Sequence, residues 1–268
     1  QQRSEWIGQL PPGFGVRQIA LSLSVSAYER ALRQSIPTQH EQNPAVGIAI
    51  CAESNRSECL YFIALHTANQ TEFIEFSPKN QADKFGMVLE HLLSNELLAS
   101  STVGIEREQF SSLVNYATEN AHELLVDVWH RRRSHVWSAE NGTWKIGANL
   151  QPLGIPSGAF HPLHAGHVAM RDAAEQWLGG SVHYELPIVN AAKPALEYIS
   201  IAERRRQFDD QNIPVSNAAT CAEKADCFPN TTFVVGLDTA LRIVDPRLYG
   251  NDFAKMEQAL SRIQQAEC

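Results

Sequence analysis

The stretch Ser157-Gly158-Ala159-Phe160-His161-Pro162-Leu163-His164-Ala165-Gly166-His167 decides how the second half of the chain is read. It closes an apolar run, 153–160, that reads as a strand. It also opens an amphipathic run, 163–178, that reads as a helix with Val168, Ala174, Trp177 and Leu178 inward. In open α/β sheets, ligands gather at the carboxyl ends of strands and anions at helix N-termini. Gly158 lets the backbone come close to a ligand, and Pro162 sets the turn into the helix. His164 and His167 lie three residues apart, so both imidazoles project from one helix face near its positive end. Two imidazoles beside first-turn N–H groups suit a polyphosphate; either histidine taken alone reads rather as an ordinary surface or capping residue.

Working outward, the second half alternates strand and helix. Residues 183–189 read as strand, 199–208 as helix, 232–235 as strand and 254–265 as helix, the pattern of a parallel sheet with crossover helices. The first half starts differently. Residues 45–51 and 59–66 read as a strand hairpin, and 68–76 as a third strand. A helix over 85–97 follows, with Phe85, Val88, Leu89, Leu92, Leu93 and Leu97 on one face. Helical spacing recurs over 110–129 through Leu113, Tyr116, Ala117, Leu124, Leu125 and Val128. The triplet Arg131-Arg132-Arg133 reads as a solvated helix end. Between Trp137 and Trp144, Glu140-Asn141-Gly142 is a turn signal and reads as the crossover between domains, which divides the chain into 1–140 and 141–268.

A chain of 268 residues suffices for two domains, and 44% hydrophobic content suits a globular protein. The net charge of -8 argues against nucleic acid as the main partner, because phosphate backbones are held by basic faces. No apolar run reaches the roughly 18 residues of a membrane span. The N-terminal Gln1-Gln2-Arg3-Ser4-Glu5-Trp6 lacks a signal-peptide profile. Five cysteines, Cys51, Cys59, Cys221, Cys227 and Cys268, without close pairing point to free thiols and a cytoplasmic setting. Cys221 and Cys227 have no second Cys/His pair at finger-like spacing, so no metal site is expected. A start at Gln1 and a stop at Cys268 suggest a piece of a longer gene product.

The pattern Gly-x-Phe-x-Pro-x-His-x-Gly-His over 158–167 resembles the nucleotidyltransferase superfamily with its His/Thr-x-Gly-His signature. With Pro162 and His164 it looks most like the nicotinamide- and nicotinate-mononucleotide adenylyltransferases. His161 departs from the commoner Asn or Asp, and Ser157-Gly158-Ala159 from Gly-Gly-Ser/Thr. The resemblance implies a Rossmann-like parallel-sheet domain that transfers AMP from ATP to a phosphate acceptor, most readily a pyridine mononucleotide, and releases pyrophosphate. It implies that His164 and His167 act on the phosphates, that Gly158, Ala159 and Phe160 line the nucleotide, and that Mg²⁺ arrives with ATP. Phe233-Val234-Val235-Gly236-Leu237-Asp238 is similar to the strand that reaches the nucleoside, so Gly236 and Asp238 would contact ribose or base; Asp238 also reads as a helix N-cap. Lys193 reads either as a phosphate neutraliser or as a solvated loop lysine. The family's late Ile-Ser-x-Thr-x-x-Arg motif is not found and would lie beyond Cys268.

The first half resembles a smaller α/β domain, the CinA C-terminal or nicotinamide-nucleotide amidohydrolase type. The Ser/Thr-Gly-Gly nucleophile region expected there is replaced by Leu21-Ser22-Leu23-Ser24-Val25-Ser26, which implies a degenerate domain. The rival functions are an amidohydrolase acting through that domain, a cytidylyltransferase, and a non-catalytic nucleotide-binding scaffold. The expected partners are small nucleotides, with a homo-oligomer left open.

Overall fold

A computed structural model describes residues 15–34, 45–54, 59–76, 114–147, 152–190, 194–208 and 210–268. The helix expected over 85–97 and Lys193 both lie outside the described residues. Described residues up to Asn120, with Glu197–Ile199, form one compact unit; Ala121 to Cys268 without those three form the other. The sequence places the division near residue 140 instead.

In the first unit β1 (Gly47–Ser54), β2 (Cys59–His66), β3 (Gln70–Phe76) and β4 (Val114–Asn120) run antiparallel in that order. Adjacent residues of β2 face opposite sides. Phe62 and Ala64 join Phe73 and the Val16, Ala20 and Leu21 face of the helix Val16–Gln34, while Ile63 and Leu65 form a separate cluster with Ile74. Gly47 leaves room for that helix: a Cβ would overlap the Ser24 carbonyl oxygen and crowd the Tyr28 backbone nitrogen. Ser24 and Ser26 lie inside this helix and donate back to the Leu21 and Ser22 carbonyls. That is ordinary helix back-bonding, not the geometry of an exposed nucleophile loop.

The helical spacing over 110–129 is overturned. Residues 114–120 pair with β3 along their whole length, from Gln70↔Asn120 to Phe76↔Val114. Among the described residues of that run only Glu123–Trp129 is helix, started by His122, whose Nδ1 accepts from the Leu124 N–H at 3.2 Å. The arginine triplet sits in the turn that follows, where Arg132 pairs with Asp127 at 2.7 Å.

The second unit is mixed α/β. Here β7 (Gly154–Pro156) pairs in parallel with β10 (Thr232–Val234), and β8 (Leu186–Pro187) in parallel with β9 (Ile213–Ser216). Two parallel bridges, Gly154↔Val182 and Ser157↔Glu185, tie β7 to the stretch that leads into β8. These bridges are isolated: β10 and β7 form a two-stranded sheet, and β8 and β9 belong to a separate four-stranded one. Beyond β9 the direction changes, because β5 (His135–Ser138) pairs antiparallel with both β9 and β6 (Trp144–Lys145). The expected interdomain crossover at 137–144 is thus a hairpin of this sheet, turned at Gly142 with φ 79°. Helix Ala165–Leu178 buries Ala174, but Trp177 is 81% exposed, against the inward placement expected for it. Leu178 meets β7, where a Cβ at Gly154 would come within 2.7 Å of its Cδ1.

Under β8 lies a buried ion pair. Lys224 (5% exposed) donates to both oxygens of Glu185 (0%) at 3.0 and 2.8 Å and to the Ala218 carbonyl at 2.9 Å. Ser216 also donates to Glu185. All three ammonium protons are used, which is the condition for burying such a charge.

Candidate functional site

The site grows from the end of β7. Strand pairing Pro156↔Val234 sets the carboxyl ends of β7 and β10 side by side, so the segments that start at Ser157 and Val235 leave the sheet together. The first loop is hung from its other neighbour: the Gly158 N–H donates to the Glu185 carbonyl at 3.3 Å.

Phe160 then turns the chain with φ 43° and sends its ring inward, 2% exposed. The ring meets His167, Tyr184 and Phe208 edge-on at 5.1–5.2 Å between centroids. Each such aromatic pair contributes roughly 0.5–1.5 kcal/mol beyond burial. Phe160 is therefore a support beneath His167, with its ring enclosed. It also accounts for Gly158: a Cβ there would sit 3.0 Å from the Phe160 ring. That glycine makes room for a side chain of its own loop.

His164 is the N-cap of helix Ala165–Leu178 in extended conformation, not its first helical residue. His167 stands one turn on, and the two imidazoles stack at 3.7 Å with 20° between planes. The His164 N–H donates to His167 Nδ1 at 3.3 Å, which leaves Nε2 as the proton-bearing nitrogen of the neutral ring. Gly166 permits the stack, since a Cβ would come within 3.2 Å of the His164 ring. Partial burial, and then the neighbouring His164, lower the His167 pKa below the ordinary 6.5. His164 is exposed and His167 half-buried. Ala159 is exposed, and its carbonyl accepts from Arg204 Nη1 at 3.2 Å.

On the neighbouring strand, Gly236 is the N-cap of helix Leu237–Ile243, with open space where a side chain would be. Asp238 lies in the first turn and is exposed; it is not the cap, as the alternative reading had it. A first-turn carboxylate complements the helix dipole. Two residues not anticipated from sequence, Arg204 and Gln207, hold the loop. They are 45 and 44 positions away from the groups they hold, and no local motif marks them.

Burial raises the thiol pKa values of Cys221 and Cys227. Among the described residues no three His, Cys, Asp or Glu side chains group around a common point. Among the same residues no helix is long and apolar enough to cross a membrane. Comparison of the chain with protein families, curated proteins and solved structures finds no match.

Proposed function

We propose that the second unit is a Rossmann-like nucleotidyltransferase domain that binds ATP through its phosphates and transfers AMP to a pyridine mononucleotide, releasing pyrophosphate. The observation that carries this reading is the stacked His164/His167 pair at a helix N-terminus directly after β7. The parallel pairs β7–β10 and β8–β9, linked by the isolated bridges after β7, would make a sheet whose strand order reverses at β7. Sheets of this kind bind nucleotides outside the carboxyl ends at that reversal. The pair would stand at that reversal, with Gly236 and Asp238 following the adjoining strand β10.

In-line attack of an acceptor phosphate on the α-phosphorus asks the protein for position and charge stabilisation more than for covalent chemistry. The His167 Nε2–H and the first-turn N–H groups would donate to phosphate oxygens as charge moves toward the departing pyrophosphate. Asp238 and the Gly236 backbone would face the nucleoside. Mg²⁺ would enter on the triphosphate and neutralise part of its charge.

The deciding experiment incubates the full chain with ATP and nicotinamide mononucleotide and measures pyrophosphate and dinucleotide. Both products in equal amounts support the reading. ATP binding without pyrophosphate would instead identify a nucleotide-binding scaffold.

A further inference from the structure

We propose that Gln207 is the positioning residue of this loop, holding its backbone on both sides of the His161-Pro162 step and thereby fixing the His164/His167 stack. Its functional consequence rests on the triphosphate reading above; its structural consequence does not.

The geometry is reciprocal. Gln207 Oε1 accepts from the Leu163 N–H at 2.6 Å, and Nε2 donates to the Phe160 carbonyl at 2.7 Å and to the Arg204 carbonyl at 3.2 Å. Only one orientation of the amide satisfies all three partners, so the oxygen and nitrogen are assigned by the network. The bridged peptide groups flank His161 and Pro162, both exposed, and the prolyl nitrogen has no proton with which to anchor the tip itself. Leu163 directly precedes the N-cap His164, so the height of the Leu163 amide sets where the helix and its imidazoles begin.

Gln207 is itself well fixed. It lies in the 3₁₀ turn Arg206–Phe208, and the next residue, Phe208, is 1% exposed against the Phe160 ring. The loop is therefore clamped by side chain at Gln207 and by ring packing one residue later. A carboxamide suits the task because it offers acceptor and donor side by side. A carboxylate only accepts and would oppose the Phe160 carbonyl; an aliphatic chain does neither.

The test uses the full chain with Gln207→Leu and the isosteric Gln207→Glu. The first readout is the ring resonances of His164 and His167 by NMR without ligand, with circular dichroism reporting the fold. The second is the affinity for Mg-ATP by calorimetry. Folded variants should show both ring signals shifted toward those of an unstacked histidine, with ATP affinity weaker by about tenfold. Should the Leu variant unfold, the Glu variant carries the test. Unchanged ring signals in a folded variant overturn the proposal. Shifted rings in a protein that binds no ATP even as wild type would uphold the clamp and sink the triphosphate reading.

Discussion

Replacing Lys224 with methionine tests what holds the second unit together. The substitution keeps the length and apolar stem of the side chain and removes its charge. Left behind is the Glu185 carboxylate at 0% exposure, with only the Ser216 hydroxyl still donating to it. The Ala218 carbonyl loses its ammonium partner as well. Breaking one half of a buried pair costs about 3–5 kcal/mol, because the remaining charge is neither hydrated nor compensated. At roughly 2–4 °C per kcal/mol for a domain of this size, the melting temperature of the unit should fall by about 6–20 °C. Calorimetry of the full chain reads this directly. Replacing both partners, Lys224→Met with Glu185→Leu, should recover much of the loss, since apolar substitutes of similar volume are often neutral. A single variant melting within about 2 °C of wild type would refute the reasoning. It would mean that water reaches Glu185 and that the pair is less enclosed than its geometry implies.

Three further outcomes are expected. His167→Ala should lower kcat for pyrophosphate release by about 10²–10³, with a smaller change in KM for ATP, as when one oxyanion donor is lost; unchanged kcat in a folded variant makes His167 a surface residue. In a thermal-shift series at equal concentration ATP should stabilise the chain more than CTP, and the reverse order would turn the assignment toward cytidylyl transfer. The full chain should release no ammonia from nicotinamide mononucleotide, because Ser24 and Ser26 are committed to helix back-bonds; turnover above buffer background restores the amidohydrolase.

Parts of this architecture are plain in the sequence and parts are hidden, for physical reasons. The runs at 45–51, 59–66 and 68–76 are strands because β-branched and aromatic residues bounded by polar links leave little else available. The run 110–129 misleads because apolar spacing of three and four continues across Asn120-Ala121-His122. The break there is made by a histidine side chain, outside the usual capping residues Ser, Thr, Asp and Asn. β9 escapes notice because Ile213–Ser216 is short and carries Pro214, a residue that ordinarily argues against an inner strand. At the site, His164 and His167 are legible because one helical turn brings them together. Phe160, Arg204 and Gln207 are not, since a local pattern cannot tell a ring that supports a loop from one that touches a ligand, or reveal a bond across 44 residues.

The protonation of His167 gives the last expectation, and its sign follows from the geometry. Partial burial and the adjacent His164 lower the pKa from 6.5, so near neutral pH the ring is uncharged. That agrees with Nδ1 accepting from the His164 N–H, which an imidazolium could not do. The folded chain thus binds fewer protons at this group than the unfolded chain does. Its contribution to stability is present above about pH 6.5 and is lost as pH falls through the lowered pKa. A bound triphosphate favours the opposite form, because its negative charge stabilises the imidazolium and raises the pKa. Binding should therefore take up a proton between the lowered pKa of the free chain and the raised pKa of the complex, and the affinity should rise as pH falls through that window. The terminal phosphate itself takes a proton near pH 6 and weakens as a ligand, so the raw profile mixes two effects of opposite sign. Subtracting the profile of His167→Ala isolates the histidine. Calorimetry in two buffers of different ionisation enthalpy counts the protons. The wild type should take up more than the variant, and equal uptake by both would show that the phosphates do not sit against His167.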